Sequence, residues 1–231
     1  MPVQGFTGFP PETLSYLEEL AANNDREWFT ANKGRYDQVV LEPALRFIAA
    51  MGPLLDSISH HILAVPTRTR GSLMRVHRDT RFAKDKTPYK TNIGIQFRHE
   101  RAKDVHAPGF YVHIEVQEAF VALGTWHPAP DALAKIRDRI VAFPGEWEAA
   151  RDDQGFRAAF ELSGDRLTRP PKGYDPDHPC SEDLKWKDFL AVQTVGAAEI
   201  GDPDFPIYCA KQFATSRGYM SFLCAALGVP F

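Results

Sequence analysis

Cysteine is scarce in this chain: Cys180, Cys209 and Cys224 are the only three in 231 residues. None forms a C-x-x-C pair, and the odd count argues against a disulfide framework, so free thiols in a reducing compartment are expected. Long apolar runs are missing too, with no stretch near the ~18 uninterrupted apolar residues of a membrane helix. The opening segment, MPVQGFTGFPPETL, lacks a basic region followed by an apolar one. No secretory leader is read there, and a cytoplasmic location without membrane partners is expected. Several signature loops are also absent: G-x-x-x-x-G-K-[ST], G-x-G-x-x-G, G-x-S-x-G and H-E-x-x-H. Their absence removes support for P-loop hydrolysis, Rossmann binding, serine esterase and zincin chemistry. Positive charge is in short supply overall, with 27 Lys and Arg against 30 Asp and Glu, a net charge of -3 and a pI of about 6.2. A whole surface built to coat nucleic acid would be strongly basic instead.

A dense share of that positive charge is gathered in one place. The segment RTRGSLMRVHRDTRFAKDKTPYK, from Arg68 to Lys90, holds eight Lys or Arg and two Asp. A basic cluster on an acidic body points to a local anion site. Hydrophobic residues at 44% and charged residues at 25% are an ordinary globular balance, and the length suits a sizeable core without structural metal.

Helical spacing dominates the first sixty residues. Leu14, Leu17 and Leu20 predict a helix from Pro10 to Asn23. Asp25 is a candidate N-cap for a second helix reaching about Val40, and Pro43 suits the start of a third through Leu54. The period then changes. Ser72–Val76 reads as a strand, and Asn92–Arg98 alternates with Ile93, Ile95 and Phe97 on one face. In Phe110–Gln117, Phe110, Val112, Ile114 and Val116 share one face and Tyr111, His113, Glu115 and Gln117 the other. Ala119–Trp126 and Lys187–Val195 are further strand candidates, with connections suited to antiparallel pairing. A helix marked by Leu133, Ile136, Ile140 and Val141 follows Pro130. Shorter helices are read at Glu146–Arg151 and Gln154–Leu162, and a longer one over Asp204–Leu227, weakened by Gly218. LTRPPKGYDPDHPCSED reads as a loop. The pattern predicts a single α+β domain over residues 1–231: a helical N-terminal segment, a central antiparallel sheet, and helices following it and at the C-terminus.

Several groups could carry chemistry. On a strand, Arg75, His77, Asp79 and Arg81 would share one side. Guanidinium groups grip phosphate or carboxylate in pairs, and His adds a proton or a hydrogen bond. The plain alternative is an exposed, ion-paired strand edge. Lys84, Lys86 and Lys90 could approach an anion from the following loop, and Tyr89 could stack on a ring or pin the loop to the sheet. His113 and Glu115 form H-x-E on one strand face, beside Tyr111; an acid–base pair or metal ligands would need that spacing, and so would a merely solvated face. Lys172, Tyr174 and His178, with Arg169, Asp175 and Asp177, lie on the Pro-rich loop, which could close over a ligand or simply be held by its prolines.

The chain resembles the bacterial and fungal domain-of-unknown-function family 2461 over nearly its full length. The resemblance rests on GFP at Gly8–Pro10, NDREWF at Asn23–Phe29, RVHRDTRFAKDKTPYKTNIG at Arg75–Gly94, PGFYVHIE at Pro108–Glu115, WHP at Trp126–Pro128 and RPPKGYDPDHP at Arg169–Pro179. It implies one compact α+β domain and brings no activity, cofactor or catalytic residue with it. It also implies that the Arg75–Lys90 block, His113 and the Pro-rich loop belong to one design.

The leading expectation is binding of a small phosphate- or carboxylate-bearing ligand. Arg75, Arg78, Arg81, Lys84, Lys86, Tyr89, Lys90, Tyr111, Lys172, Tyr174 and His178 would be binding residues. His77, His113, Glu115 and Asp79 would be available for acid–base work, and no metal ligand or cofactor is assigned. Three alternatives stand beside it: a nucleic-acid module in which Phe82 or Tyr89 stacks on bases, a metal-dependent enzyme using His113 and Glu115 with His127 or His178, and a structural or partner-binding domain. Whether the chain is an enzyme, and its oligomeric state, are left open by the sequence.

Overall fold

Proline at its first position opens α1 (Pro11–Ala22), which buries Thr13, Tyr16, Leu17 and Leu20. The computed structural model describes residues 5–101 and 108–231. The Asp25 carboxylate accepts the Trp28 amide at 2.8 Å and caps α2 (Arg26–Ala31), as its position predicts. Beyond α3 (Lys33–Tyr36), the second and third expected helices prove to be joined. A π-helical turn over Asp37–Leu41 leads directly into α4 (Glu42–Asp56), with Pro43 in its first turn.

Pro43 has a consequence for packing. In an α-helix the donor to the Val39 carbonyl would be residue 43, and proline has no amide hydrogen. The buried Thr13 hydroxyl of α1 donates to that carbonyl at 2.6 Å, tying the two helices together. The helical stretch Lys33–Asp56 contains an 18-residue window of mean hydropathy 1.3, long and apolar enough for a membrane span, although no uninterrupted apolar run marks it. Half of its most apolar window is buried within the protein, where Phe47, Ile48 and Met51 form core.

Six strands form an antiparallel sheet in the order β1 (Ile62–Leu63), β2 (Ile93–His99), β3 (Gly109–Ile114), β4 (Ala119–Thr125), β6 (Phe189–Thr194) and β5 (Glu161–Ser163). Register places Ile95 opposite Val112, Val112 opposite Val121, and Leu123 opposite Ala191, all on one face. That face is covered by helices. Phe47 of α4 packs near Phe97, Phe213 of α9 (Phe205–Thr215) stacks on Phe110 at 4.3 Å, and Trp147 of α6 (Pro144–Arg151) meets Phe189 edge-on. Between β4 and β5 run α5 (Pro130–Ala142), α6 and α7 (Gln154–Ala159); α8 (Ala197–Gly201), α9 and α10 (Arg217–Ala226) close the chain. The fold is α+β, with a helical N-terminal region, a central antiparallel sheet, and helices after it and at the C-terminus.

Some element boundaries differ from the sequence reading. Ser72–Val76 is not a strand. It runs extended beside β2 through one bridge, Leu73 to Ile95, with the Met74 amide on the Gly94 carbonyl. β3 ends at Ile114, because the Glu115 amide turns to the Glu118 carbonyl. Leu162 lies in β5 instead of a helix, and Val141 is exposed. The C-terminal helix breaks at Ser216, not at Gly218, and the Ser216 hydroxyl donates to the Phe213 carbonyl.

Thr13→Val keeps the shape but leaves the Val39 carbonyl without its side-chain donor. It should destabilise the fold by about 1–3 kcal/mol, measured by urea denaturation. An unchanged midpoint would mean that this bond contributes nothing.

Candidate functional site

A groove of about 540 Å³ lies on the second face of the sheet, and among the described residues no helical residue lines it. Alternation dictates its floor. Gln96, Tyr111, Ala122 and Val192 stand in one cross-strand row, with Gly94, His113 and Phe120 in the next, and Gly109, Gly124 and Leu190 on the other side. Met74, Lys90, Trp126 and Ser163 complete the lining. Small residues hollow the centre. Gly124 adopts φ +110°, and a Cβ there would sit 2.0 Å from the Phe189 carbonyl oxygen, so the backbone excludes any larger side chain. Phe120, Leu190, Val192 and Trp126 make most of the wall apolar.

One end is polar. His113 stacks on Phe120 with ring centroids 4.6 Å apart and planes 5° apart. Its Nε2 lies 3.4 Å from Glu115 Oε2, and Thr91 Oγ1 donates to Glu115 Oε1 at 2.8 Å. Its Nδ1 is 3.2 Å from the Tyr111 hydroxyl and 3.3 Å from the Asn92 amide group. Burial, and secondarily the Glu115 charge, push the Tyr111 phenol up to about 12, so it is a neutral donor. With Nε2 protonated toward Glu115, Nδ1 accepts from Tyr111, and the imidazole–carboxylate pair can move a proton. Glu115, Glu118 and His113 each bring one ligand atom to within 4.8 Å of the others.

Lys90 lines the same groove, and among the described residues no hydrogen-bond or carboxylate partner meets its ammonium group. Partial burial, and then repulsion from Arg75, lower its pKa from 10.5. Arg75 likewise lacks a carboxylate within 4 Å among the described residues. Lys90 thus stands without a carboxylate partner at an apolar groove, with Arg75 near it and the Arg75 charge also reaching Asp79.

The other expected binding residues lie elsewhere. Arg75, His77, Asp79 and Arg81 are all exposed, Arg75 near Lys90 as described, but Arg78 and Arg81 are already matched: Arg78 to Asp85 and Thr87, and Arg81 to Asp79 at 2.7 Å. Lys86 donates to the Thr80 carbonyl at 2.8 Å, and Lys84 is exposed. His77 lines a separate cleft of about 310 Å³ with Arg26, Thr30 and Arg78. Tyr89 belongs to the core. It stacks on Phe29 at 4.0 Å, and the Asn24 side chain brackets its backbone with two 3.0 Å bonds. Phe82, the other stacking candidate, is 95% exposed.

The Pro-rich loop packs on α5. The Tyr174 hydroxyl donates to Asp138 at 2.8 Å, and His178 Nδ1 accepts the Cys180 amide. Neither residue lines the groove, nor does Lys172. His127 leans on the buried Asp188, away from His113. Sequence reasoning missed Ala122, Gly124, Phe120, Leu190, Val192 and Glu118. A signal was present: β4 and β6 are apolar on both faces, which suits covered strands better than a solvated face.

A family model described as conserved hypothetical protein (DUF2461) matches residues 12–222. The chain belongs to this family. No curated protein and no solved structure matches the DUF2461 chain. Within it, the NDREWF and TPYK segments meet through Asn24, Phe29 and Tyr89.

The Arg81 guanidinium holds Asp79 at about 2, and Arg78 does the same for Asp85, against an ordinary 3.8. A depressed carboxylate stabilises the folded hairpin above its ordinary value and loses that contribution as pH falls toward 2. Carboxyl NMR titration should give midpoints near 2 for both; ordinary midpoints would mean the pairs do not hold in solution.

Proposed function

We propose that this protein binds a small amphiphilic anion in the groove on the open sheet face, with the anionic head at Lys90 and Arg75 and the apolar body along Phe120, Ala122, Leu190 and Val192. The observation that carries this reading is the Lys90 ammonium at the edge of an apolar cavity with no carboxylate partner among the described residues. A half-buried cation without a partner is unfavourable, and an entering anion relieves it. The cavity volume of about 540 Å³ falls within the usual range of small-molecule sites, roughly 300–1,000 Å³. The polar end at His113, Tyr111 and Asn92 supplies hydrogen bonds that can fix the head group. Of the expected anion ligands, Arg78 and Arg81 already have carboxylates, which favours Lys90 with Arg75 near it.

Decanoate and decanol competing for a bound anilinonaphthalene sulfonate dye test the reading. Decanoate should displace the dye far better than decanol. Lys90→Met should weaken decanoate by about 10- to 100-fold, the equivalent of one charge-assisted hydrogen bond, and leave decanol unchanged. Ala122→Leu, which fills the floor, should weaken both. Equal binding of acid and alcohol by the wild type, or an indifferent Lys90→Met, would remove the charge argument.

Affinity for decanoate should also depend on pH. The pKa of Lys90 is lowered in the free protein, so it loses its proton below 10.5, and binding should weaken as pH rises through that lowered value. A bound anion favours the protonated form, so binding on the alkaline side should take up a proton, measurable by calorimetry in buffers of different ionisation enthalpy. No proton uptake there would separate Lys90 from the site.

A further inference from the structure

We infer that His113, Glu115 and Glu118 form a binding site for one divalent transition-metal cation at the polar end of the groove. Backbone geometry assembles the three. His113 is the penultimate residue of β3, and Glu115 and Glu118 flank the turn into β4, held by the 2.8 Å bond from the Glu115 amide to the Glu118 carbonyl. One nitrogen or oxygen from each lies within 4.8 Å of the others.

Three further observations favour a cation there. His113 Nε2 and Glu115 Oε2 stand 3.4 Å apart. That is long for a charged hydrogen bond, roughly 2.7–2.9 Å. Two donors bound to one cation at about 2.0–2.2 Å and near-tetrahedral or octahedral angles sit roughly 3–3.5 Å apart. Second, the carboxylates are not satisfied by protein cations. Among the described residues the Glu118 carboxylate has no ion-pair or hydrogen-bond partner, and the Glu115 carboxylate meets only His113 and Thr91.

The third observation is a set of supporting groups outside the cluster. Thr91 Oγ1 holds Glu115 Oε1, which leaves Oε2 for the cation. Phe120 fixes the plane of the imidazole. Asn92 sits 3.3 Å from Nδ1. With Nε2 on a metal, Nδ1 carries the proton, and the Asn92 amide turned about its axis presents its oxygen to receive it. These are the outer hydrogen bonds that orient a ligating histidine.

One imidazole and two carboxylates make a borderline-to-hard donor set, suited to Zn²⁺, Mn²⁺, Fe²⁺ or Co²⁺. Three protein ligands leave positions open toward the groove that His113 lines. The inference does not depend on the anion reading, because the cation is held by residues other than Lys90 and Arg75.

Untagged protein stripped with a chelator is titrated with ZnCl₂ by calorimetry and with MnCl₂ by electron paramagnetic resonance. One cation per chain is expected, with zinc bound more tightly than manganese. Glu118→Gln should abolish stoichiometric uptake; Glu118 is exposed, and the melting curve of that variant should match the wild type. Thr91→Val, which removes an outer hydrogen bond, should weaken zinc by about 10- to 100-fold. Uptake of neither metal, or uptake that Glu118→Gln leaves unchanged, overturns the site; the second result would place the metal on surface histidines such as His60 and His61. Metal-free Glu118→Gln should still bind decanoate, so failure of the cation site and failure of the anion reading are read separately.

Discussion

One-sided coverage of the sheet is the constraint on which the rest depends. α4, α6, α9 and α10 bury the face of Phe97, Phe110, Val112, Val121 and Phe189, and among the described residues no helical residue lines the groove on the opposite face. A strand buried on one side is expected to be polar on the other, yet β4 and β6 offer Phe120, Ala122, Gly124, Leu190 and Val192 to the open side. An apolar open face is tolerable only if something covers it or if it is concave enough to shelter a ligand. Here Gly109, Gly124 and Ala122 hollow the centre, while Met74 and Trp126 raise the rims.

The N-terminal helices matter to that groove indirectly. Asn24 holds both backbone groups of Tyr89, and Phe29 stacks on its ring. These contacts anchor the return leg of the basic hairpin just before Lys90, so the position of the unpaired ammonium is set by helices that never reach the groove. The same hairpin neutralises its own tip, with Arg78 on Asp85 and Arg81 on Asp79. Of the eight basic residues in the segment, Lys90 lines the groove, and Arg75 at the other foot of the hairpin stands near it. A high count of charges therefore said less about the site than the pairing among them.

The polar end joins two capacities that compete for one imidazole. As a proton carrier His113 uses Nε2 toward Glu115; as a metal ligand it gives that nitrogen up and protonates Nδ1 instead. The neighbours accommodate both, because the Tyr111 hydroxyl can donate or accept and the Asn92 amide can turn. Glu118 decides between them, since it adds a second carboxylate that a simple acid–base pair would not need.

Much of the fold was legible in the residues alone. Alternation marked β2 and β3 and their buried face, Pro11 and Asp25 marked helix starts, and the order of elements yielded the α+β class, because periodicity and caps are local properties. H-x-E at the end of β3 was legible for the same reason. The membership of the groove was not. Ala122 and Gly124 are unremarkable until register sets them opposite Tyr111 and Gly109, and Glu118 stands beside His113 only because the strand turns at Glu115. Which cations remain free was likewise hidden, since pairing depends on distances across a hairpin and not on spacing along the chain. Composition determined that positive charge is concentrated and where it lies in the sequence; tertiary structure decided which of those charges has nothing to neutralise it, because only folding brings acids and bases within reach of each other.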